Sequence, residues 1–527
     1  MSEQKNKKGN SRRGLLKGTA AAVGTLALTG MDINRAEAAS HKDVPGKWDL
    51  KTDVLIVGAG GAGLISAITA REEGAKVIVL EEAPVVGGTT TVSGGMIQAA
   101  GTDAQKAAGV KGDSNRKQYK FFTKVGEDII DPQLVKVMTD TTDDNMKWLK
   151  SHGLIYSSVI TDTTIPGVDP KLFSPRIHSI QDEKDNKKIG TGRTHVKILY
   201  RLARKLGVKF MFDTPVKTLI YDNTEGVTGV MVHGEKGKIY VKAKRAVILA
   251  SGGFDHNKEM ARTFSPQQLW TLKTGVCYGA PTNTGDGIRM AMAVGADLAG
   301  MGGVIGLVNH AIGIAPIMRG QAIVPGIWVN KYGQRFVNEA AHYAYAMRSV
   351  FSQEDHMAWA IFDEDARKMG GKALGGDLTN FSDDLKKEVA EGKVKKGSTI
   401  GELAVSMGVD ASILELTLNK WNKDTARGKD TVFNKKTGLK PIVSPPFYAT
   451  LVNPISLGSC GGVKINTDTQ VIDVNGKKIP RLYAGGMTTG GWIGPYYPGS
   501  GTALAANICF GRIAGKNAAS EKPSMAS

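Results

Sequence analysis

One stretch of about thirty residues limits the fold of this chain more than any other feature. The apolar run 53–57 leads directly into Gly58-Ala-Gly60-Gly-Ala-Gly63, and helical periodicity follows up to Glu73. A second apolar run, 74–80, ends at Glu81. Strand, glycine-rich turn, helix and second strand in this order predict a βαβ unit of a Rossmann-like α/β domain.

Each glycine of this G-x-G-x-x-G turn has a physical role. Gly58 permits the tight turn, Gly60 lets the backbone approach a pyrophosphate, and Gly63 lets the helix pack on the strand. The helix N-terminus then faces the phosphate charge, and Glu81 is placed to accept hydrogen bonds from ribose hydroxyls. FAD and NAD domains share this unit, so it does not by itself choose between the two cofactors.

Glycine-rich segments farther along the chain make that choice. They are 87–91, 93–96, 246–254, 284–287 and 482–486. An extended FAD contacts several such glycine-rich segments as the chain comes back to the cofactor, whereas an NAD domain does not need them. A strand-to-turn glycine explains any one of these segments, but their combination in this order predicts FAD.

The first residues have the pattern of an export signal. Paired arginines at 12–13 precede a mildly apolar run at 18–28, and residues 35–39 carry small side chains suited to a signal peptidase. This pattern is typical of twin-arginine signals, which export folded proteins. We expect cleavage near Ala38 or Ala39 and a periplasmic mature protein. An amphipathic first helix of the fold is the alternative.

Charge and cysteine content narrow the classes of partner. The formal net charge is +18, of which the leader contributes +4. The lysines are scattered and no nucleic-acid module is visible, so a solvated basic surface or an acidic electron-transfer partner accounts for this charge. Cys277, Cys460 and Cys509 lack haem or metal-site spacing and are expected to be buried apolar thiols. No run after residue 30 is apolar for long enough to cross a membrane.

These motifs resemble the flavoprotein superfamily of fumarate reductase and succinate dehydrogenase, which includes flavocytochrome c fumarate reductases and 3-ketosteroid Δ1-dehydrogenases. The resemblance covers roughly residues 50–520. It implies an α/β FAD-binding domain assembled from both chain ends, with an inserted α+β capping domain. The implied ranges are 1–39 for the signal peptide, 49–289 and 448–520 for the FAD-binding domain, and 290–447 for the capping and substrate domain. The implied cofactor-binding residues are Gly58, Gly60, Gly61, Ala62, Gly63, Glu81, Glu82, Gly87, Gly88, Thr89, Thr90, Ser93, Gly94, Gly95, Val216, Ser251, Gly252, Asp286, Gly485, Gly486, Ser500, Gly501, Thr502 and Leu504.

Three positions separate the branches of this superfamily. Fumarate reductases resemble Arg335-Phe-Val-Asn-Glu339, but their catalytic Arg falls where this chain has Tyr343. Their carboxylate-binding His and second Arg have no counterparts in 457–462 and 494–501. A dicarboxylate needs bidentate cationic partners, so the missing residues make fumarate an improbable substrate.

The 3-ketosteroid dehydrogenases are more similar at the same places. The resemblance implies that Tyr343 is the base or acid, and that Tyr497 with the N–H of Gly501 binds a developing enolate oxygen. Such donors stabilise the charge that forms beside a carbonyl. Tyr343 as a core aromatic and Tyr497 as packing beneath the flavin stay open, and Tyr496 adjoins the motif.

Four other residues are weaker candidates for the pocket. Tyr156 lies where the family has a further Tyr, in a region that diverges here. His310, His342 and Arg367 are expected to be structural or exposed rather than catalytic.

Patterning in the remaining segments predicts local structure. We expect two helices in 115–153, a long loop bordering the substrate entrance in 155–190, and a helix over 195–207. Strands are expected in 208–250, with turns at Asp222-Asn223 and Gly234, and a solvated helix in 383–396.

Together these features predict an FAD-dependent oxidoreductase acting on CH–CH groups, with a small substrate whose C=C bond is conjugated to a carbonyl. Export favours the reductive direction, with electrons from a periplasmic cytochrome c or a quinol-linked protein. A fumarate- or acrylate-type reductase and a flavin-bearing electron-transfer subunit without its own substrate are the alternatives.

Overall fold

The computed structural model describes residues 44–127, 129–161, 164–185, 188–234, 237–274, 277–309, 326–373, 382, 384–494 and 496–524. The predicted leader lies outside these residues. The strands are β1 (Leu50–Val57), β2 (Val77–Leu80), β3 (Ile97–Gln98), β4 (Tyr156–Ile160), β5 (Ile177–Ile180), β6 (Lys209–Met211), β7 (Val216–Asp222), β8 (Gly226–Gly234), β9 (Gly237–Leu249), β10 (Leu298–Ala299), β11 (Val304–Asn309), β12 (Ile327–Val329), β13 (Ala358–Asp363), β14 (Val394–Gly397), β15 (Phe447–Ser459), β16 (Gly462–Val463), β17 (Gln470–Ile472) and β18 (Lys478–Ala484). The helices are α1 (Gly61–Glu72), α2 (Gly88–Val92), α3 (Asp103–Ala107), α4 (Asn115–Val125), α5 (Pro132–Asp140), α6 (Thr142–Ser151), α7 (Gly192–Lys205), α8 (Lys258–Phe264), α9 (Pro266–Thr274), α10 (Asp286–Ala293), α11 (Tyr343–Phe351), α12 (Glu364–Ala373), α13 (Lys386–Ala390), α14 (Ile400–Met407), α15 (Ala411–Ala426) and α16 (Thr502–Ser520).

The largest sheet has parallel strands at its centre, and its path runs β17-β18-β9-β1-β2-β6. Parallel pairing joins β1 to β2 and β9, β9 to β18, and β2 to β6. The apolar run of β1 is buried on both faces from Val54 to Val57, as expected of a strand covered by helices on each side. Since β1 comes from one end of the chain and β18 from the other, both ends build this sheet, and the predicted α/β class is confirmed.

Small residues let a helix from the N-terminal part, α1, pack closely against a helix from the C-terminal part, α16. Gly511 and Gly515 on α16 face α1, and a Cβ at Gly515 would come within 2.5 Å of the Ser66 carbonyl oxygen. The Ser66 hydroxyl donates to the Gly511 carbonyl at 3.0 Å. The two helices run parallel, and Asn507 of α16 lies beside Gly61 at the start of α1. The first turn of α16, from Thr502, therefore extends past the N-terminus of α1 on the side of the glycine-rich turn.

A second, five-stranded sheet has the path β11-β15-β13-β12, with β14 also paired to β15. Trp421, Leu414 and Leu403 bury their side chains in a core shared with the strands. The buried face of α11 (Ala346, Met347 and Val350) packs in a separate cluster with strand residues of the same sheet. β15 begins at residue 447, so the first strand of the predicted range 448–520 pairs with the strands of the predicted cap.

Three local predictions need correction. Residues 115–153 form three helices rather than two, because Asp131 caps a new helix with Pro132 at its first position and α6 starts straight after α5 ends. Residues 155–190 are not only loop, since β4 and β5 pair antiparallel and β5 also pairs with β3. Residues 383–396 contain only a short helix, because β14 starts at Val394 and pairs with β15.

Two other local predictions are confirmed. α7 matches the helix predicted over 195–207, and β7, β8 and β9 form a meander that turns near Asp222 and Gly234. Among the described helices, none combines the length and apolar character needed to cross a bilayer.

Candidate active site

Four parallel strands end together at one edge of the main sheet. Val57 pairs with Leu80 and with Leu249, and Leu249 pairs with Ala484, so the carboxyl ends of β1, β2, β9 and β18 are in register. Ligands of open α/β sheets bind in the crevice outside these ends. Each glycine-rich segment predicted to touch the cofactor either follows one of these strands directly or packs against a loop that follows one.

Packing requires two glycines of the first turn. Gly58 has φ +101°, and a Cβ there would approach the Ala250 carbonyl oxygen to 2.5 Å. A Cβ at Gly63 would overlap the carbonyl oxygen of Gly58. These two positions therefore need glycine for the fold itself.

Gly60 is different because packing does not explain it. A Cβ at Gly60 would meet only the Gly87 carbonyl oxygen, at 4.0 Å, and its φ of −73° suits any residue. The space before the N-terminus of α1 is therefore open. α1 has no side-chain cap at Gly60 and no acidic residue in its first turn, which includes Ala62, so its positive end is available to a phosphate group. A dinucleotide pyrophosphate fits these residues.

Glu81 is held beside this turn by two backbone donors. Its Oε2 accepts from the N–H of Ala59 at 2.6 Å, and its Oε1 accepts from the N–H of Ala83 at 2.9 Å. Burial raises the pKa of Glu81, while these hydrogen bonds work in the opposite direction. Burial also raises the pKa of Glu82, against the lowering effect of the Lys217 ammonium.

The second glycine-rich segment meets the first. The N–H of Gly61 donates to the Thr90 hydroxyl at 3.3 Å, and the N–H of Gly87, the N-cap residue of α2, donates to the Ala59 carbonyl at 2.9 Å. Farther along this segment, Ser93 and Gly95 contact the N-terminus of α7 at Gly192. Gly88 and Gly94 lie in the chain between the contact at Gly87 and the contact at Gly95. The segment 87–95 therefore runs along the edge of the sheet.

Segments from the middle and the end of the chain converge on the same edge. The hydroxyl of Thr488 donates to the Gly252 carbonyl at 3.2 Å, and Ser251 lies against the first turn of α10. The carboxylate of Asp286 pairs with Lys217, on β7 next to Val216, at 3.5 Å.

The C-terminal segment reaches this edge through its glycines. The N–H of Gly485 donates to the Leu249 carbonyl at 2.9 Å, and a Cβ at Gly486 would touch Ala62. The structure therefore brings the predicted cofactor residues of both chain ends together.

Sequence reasoning missed a buried polar network behind this edge. One Asp255 carboxylate oxygen accepts from the Ser459 hydroxyl at 2.7 Å, and the other accepts from the Asn283 amide at 2.6 Å. The same Asn283 amide donates to the Thr89 hydroxyl at 2.9 Å. The available signal was the position of Asp255 and Asn283 within or next to the glycine-rich segments 246–254 and 284–287.

Tyr343 lies at the start of α11, one turn after a buried ionic cluster. Its side chain is 2% exposed, and its hydroxyl lies 3.3 Å from the Ser500 hydroxyl. His342 caps the helix by accepting from the N–H of Ala344 at 3.3 Å. The predicted Tyr343 and the predicted 496–501 loop are therefore brought together.

The ionic cluster that precedes α11 orients it. Arg335 pairs with Glu339 and Asp430, each at 3.0 Å, and its guanidinium stacks 4.7 Å over the Trp421 ring. Glu339 also accepts from the N–H of Trp328 at 3.0 Å. Burial alone would raise the pKa of Glu339, but the charges of Lys435 and Arg335 outweigh burial and lower it. The Arg335-to-Glu339 motif is thus a structural support for Tyr343.

The two adjacent tyrosines of the last motif have different surroundings. The Tyr497 hydroxyl accepts from the N–H of Ala503 at 2.9 Å, in the first turn of α16. Gly501 is the N-cap residue of that helix, with φ +93°, and Thr502 and Leu504 are buried just behind it. Tyr496 instead stacks on Tyr345, with ring centroids 6.0 Å apart.

The weaker candidates have structural contacts. The Tyr156 hydroxyl lies 2.9 Å from His195 Nδ1 in the core of the N-terminal part. Burial raises the pKa of Tyr156 well above its usual value and lowers that of His195 to about 4. Arg367 donates to Glu364 at 2.6 Å within the second sheet region, and His310 lies outside the described residues.

One expectation about the cysteines was wrong. Cys460 and Cys509 are buried, and burial raises the pKa of each thiol to about 12. Cys277 is only half-buried and polar in its surroundings, with Sγ 3.6 Å from His256 Nε2 and 3.4 Å from the Gln268 amide. Cys277 forms a β-bridge with Ser456 beside these polar groups, so the residue type alone misled the prediction.

The family follows from a sequence match that spans most of the chain. Residues 53–504 match the family described as FAD binding domain. The chain belongs to this family. This flavoprotein is therefore an FAD-dependent oxidoreductase of the fumarate reductase and ketosteroid dehydrogenase type, acting on CH–CH groups, and FAD is its cofactor.

Known proteins similar to the flavoprotein differ in their named activities. The probable fumarate reductase Ifc3 of Shewanella frigidimarina is 32% identical over 473 residues, which are 89% of this chain and 75% of the relative. Digoxin reductase of Eggerthella lenta is 26% identical over 98% of both chains. The solved 3-ketosteroid Δ4-(5α)-dehydrogenase of Rhodococcus jostii RHA1, in complex with 4-androstene-3,17-dione, is 28% identical with a TM-score of 0.75 over 92% of this chain and 99% of that structure.

Proposed function

We propose that the flavoprotein reduces or forms a carbon–carbon double bond conjugated to a carbonyl, with a neutral enone as the reacting group. The observation that carries this proposal is the meeting of the buried Tyr343 hydroxyl with Ser500, 3.3 Å away, on the loop that also holds Tyr497 and Gly501. Tyr343 stands where the resemblance places the catalytic Arg of fumarate reductases, and the loop 494–501 lacks the second Arg of those enzymes.

The chemistry suits these residues. Reduction of an enone adds a hydride to the carbon farther from the carbonyl and a proton to the nearer carbon, and negative charge develops on the carbonyl oxygen between the two events. FAD, when bound, supplies the hydride in reduction or accepts it in oxidation. Tyr343 would give or take the proton. Tyr497 and the N-terminal end of α16 at Gly501 would stabilise the oxygen, helped by the absence of an acidic side chain in the first turn of that helix.

The physiological setting belongs to the same proposal. The twin-arginine pattern supports a periplasmic enzyme that works as a reductase. Electrons would come from a separate periplasmic cytochrome c or quinol-linked donor, and the basic net charge suits an acidic one.

The test is reoxidation of the anaerobically reduced holoenzyme by a panel of neutral enones, ketosteroids, fumarate and acrylate. Rapid reoxidation by a neutral enone supports the proposal. Rapid reoxidation by fumarate or acrylate alone would move the enzyme to the acid-reductase class, which the 32% identity to Ifc3 favours. No reoxidation by any activated C=C bond would instead indicate an electron-transfer subunit.

A further inference from the structure

Arg348 is half-buried, its Nη1 is fully buried, and that nitrogen has no hydrogen-bond partner among the described residues. Arg176 pairs with Asp113 at 2.6 Å, and Arg335 pairs with two carboxylates. Arg245 and Arg512 also have a buried guanidinium nitrogen without a partner in the part of the chain that the structure describes, but both donate through Nη1, and Arg348 does not. A buried N–H group without an acceptor is costly, so an acceptor from outside the chain would stabilise this side of the guanidinium.

The position of Arg348 connects it with the proposed reaction site. It lies on α11, five residues after Tyr343, which corresponds to about 7.5 Å along the helix axis and about 140° around it, so the link between the two side chains is the loop that contacts both. Its guanidinium stacks over the ring of Tyr496, 4.4 Å from the ring centroid. The loop 496–501 therefore contacts α11 twice. Ser500 of the loop contacts Tyr343, and Tyr496 of the loop contacts Arg348.

The immediate surroundings of this guanidinium are aromatic. Besides the Arg348 guanidinium, the Tyr496 ring also contacts the Tyr345 ring, which stacks on it. Burial raises the pKa of Tyr496 most strongly, while the positive charge of Arg348 lowers it and the exposed Glu127 raises it. Tyr496 holds the planar guanidinium by stacking, which leaves the in-plane N–H groups to bind an anion.

We propose that Arg348 binds a carboxylate of the substrate, and that the substrate is therefore an enone that carries one carboxylate away from its carbonyl. This inference rests on the proposed function. A single guanidinium matches a single carboxylate in a bidentate pair, whereas fumarate would need a second cationic partner. At the uncharged enone end, Tyr343 would still transfer the proton and Tyr497 would still stabilise the carbonyl oxygen.

The probes are 4-oxocyclohex-2-ene-1-carboxylate and its methyl ester, which share the ring and the enone but differ in charge. With the holoenzyme, we expect Arg348→Gln to raise the KM for the acid by ~10–100-fold, the effect of losing a charge-assisted hydrogen-bonded pair. The kcat/KM for the ester should change by less than about twofold. Arg348→Lys should restore part of the preference for the acid, because it keeps the charge but not the bidentate geometry.

Arg193→Gln is the matched control, since Arg193 is an exposed arginine on α7 and should leave both substrates unaffected. An equal loss for acid and ester in Arg348→Gln would show a structural role and overturn the proposal, as would no loss for either.

A measurement on the wild-type holoenzyme does not depend on the folding of any variant. The saturated acid 4-oxocyclohexanecarboxylate should perturb the flavin absorbance with a Kd at least ~10-fold below that of its methyl ester, and equal affinities would overturn the proposal. Failure of the proposed function has a different signature, in which neither enone reoxidises the reduced flavin of the wild-type enzyme but fumarate or acrylate does.

Discussion

At the residue scale, two glycines three positions apart in the same turn are needed for different physical reasons. Gly63 is required by packing, because a Cβ there would overlap the Gly58 carbonyl oxygen, whereas Gly60 borders open space. Only the second kind of glycine indicates a ligand. This contrast can be measured separately for folding and for cofactor binding.

The Gly60→Val variant should fold but bind FAD at least ~10-fold more weakly, because its side chain enters the space before α1. Gly63→Ala should instead lower the Tm of the apoprotein, since the helix must move away from the strand. FAD content after gel filtration and thermal unfolding of the apoprotein separate the two effects. If Gly60→Val retained full FAD affinity, the pyrophosphate would not lie at this turn.

His195 makes the stability of the protein depend on pH. Burial lowers its pKa to about 4 from an ordinary value of 6.5, so the unfolded chain binds a proton that the folded chain does not. Stability from this residue is fully present above pH 6.5 and is lost as the pH falls towards 4, to a total of about 3 kcal/mol.

Urea unfolding of the wild type and of His195→Gln at several pH values between 4 and 7 tests this effect. The variant should show a weaker fall in the free energy of unfolding over that window, while carboxylates contribute equally to both proteins. Tyr156→Phe, which removes the hydroxyl beside His195, is the control that keeps the imidazole. Identical pH dependence in wild type and His195→Gln would contradict the assignment.

At the element scale, α11 carries Tyr343 and is supported by the ionic cluster before it. Arg335→Met leaves the buried Asp430 without its cation and Glu339 with Lys435 alone, and we expect it to destabilise the fold by about 3 kcal/mol. Lys331→Met removes an exposed ion pair with Glu354 and should change stability little. Chemical denaturation of both variants is the measurement, and equal stabilities would show that the cluster is not a support.

Sequence patterns predicted elements best where local chemistry decides them. The βαβ unit at 53–80 was predictable because glycine spacing and apolar periodicity agree, and α7 because its apolar positions repeat at helical spacing. β5 was missed because its partner β3 lies about eighty residues earlier in the chain, and β14 because it pairs with β15 across more than fifty residues. Such strands are specified by tertiary pairing rather than by their own residues.

The candidate site shows the same division. Motifs predicted Tyr343 and the 496–501 loop, and the structure brings them together. The glycine-rich segments beside Asp255 and Asn283 hint at the Asp255 network but do not give its partners, and no motif indicates the unpaired Nη1 of Arg348. Both features depend on which distant residues surround a side chain.

At the scale of the whole molecule, residues from both ends of the chain and from its middle meet at one site. The glycine-rich turn and the 496–501 loop come from the chain ends, and Tyr343 comes from the segment predicted as the cap. The central claim is that the residues at this site transfer a proton to or from a neutral enone and stabilise its enolate oxygen.

The most direct test is single-turnover reoxidation of the reduced holoenzyme by the best neutral enone. We predict that Tyr343→Phe slows it by ~10²–10⁴-fold and Tyr497→Phe by ~10²–10³-fold. The exposed Tyr332→Phe should leave the rate unchanged, and all three variants should retain FAD. Unchanged reoxidation in Tyr343→Phe, or fast reoxidation by fumarate that is insensitive to Tyr497→Phe, would contradict the account.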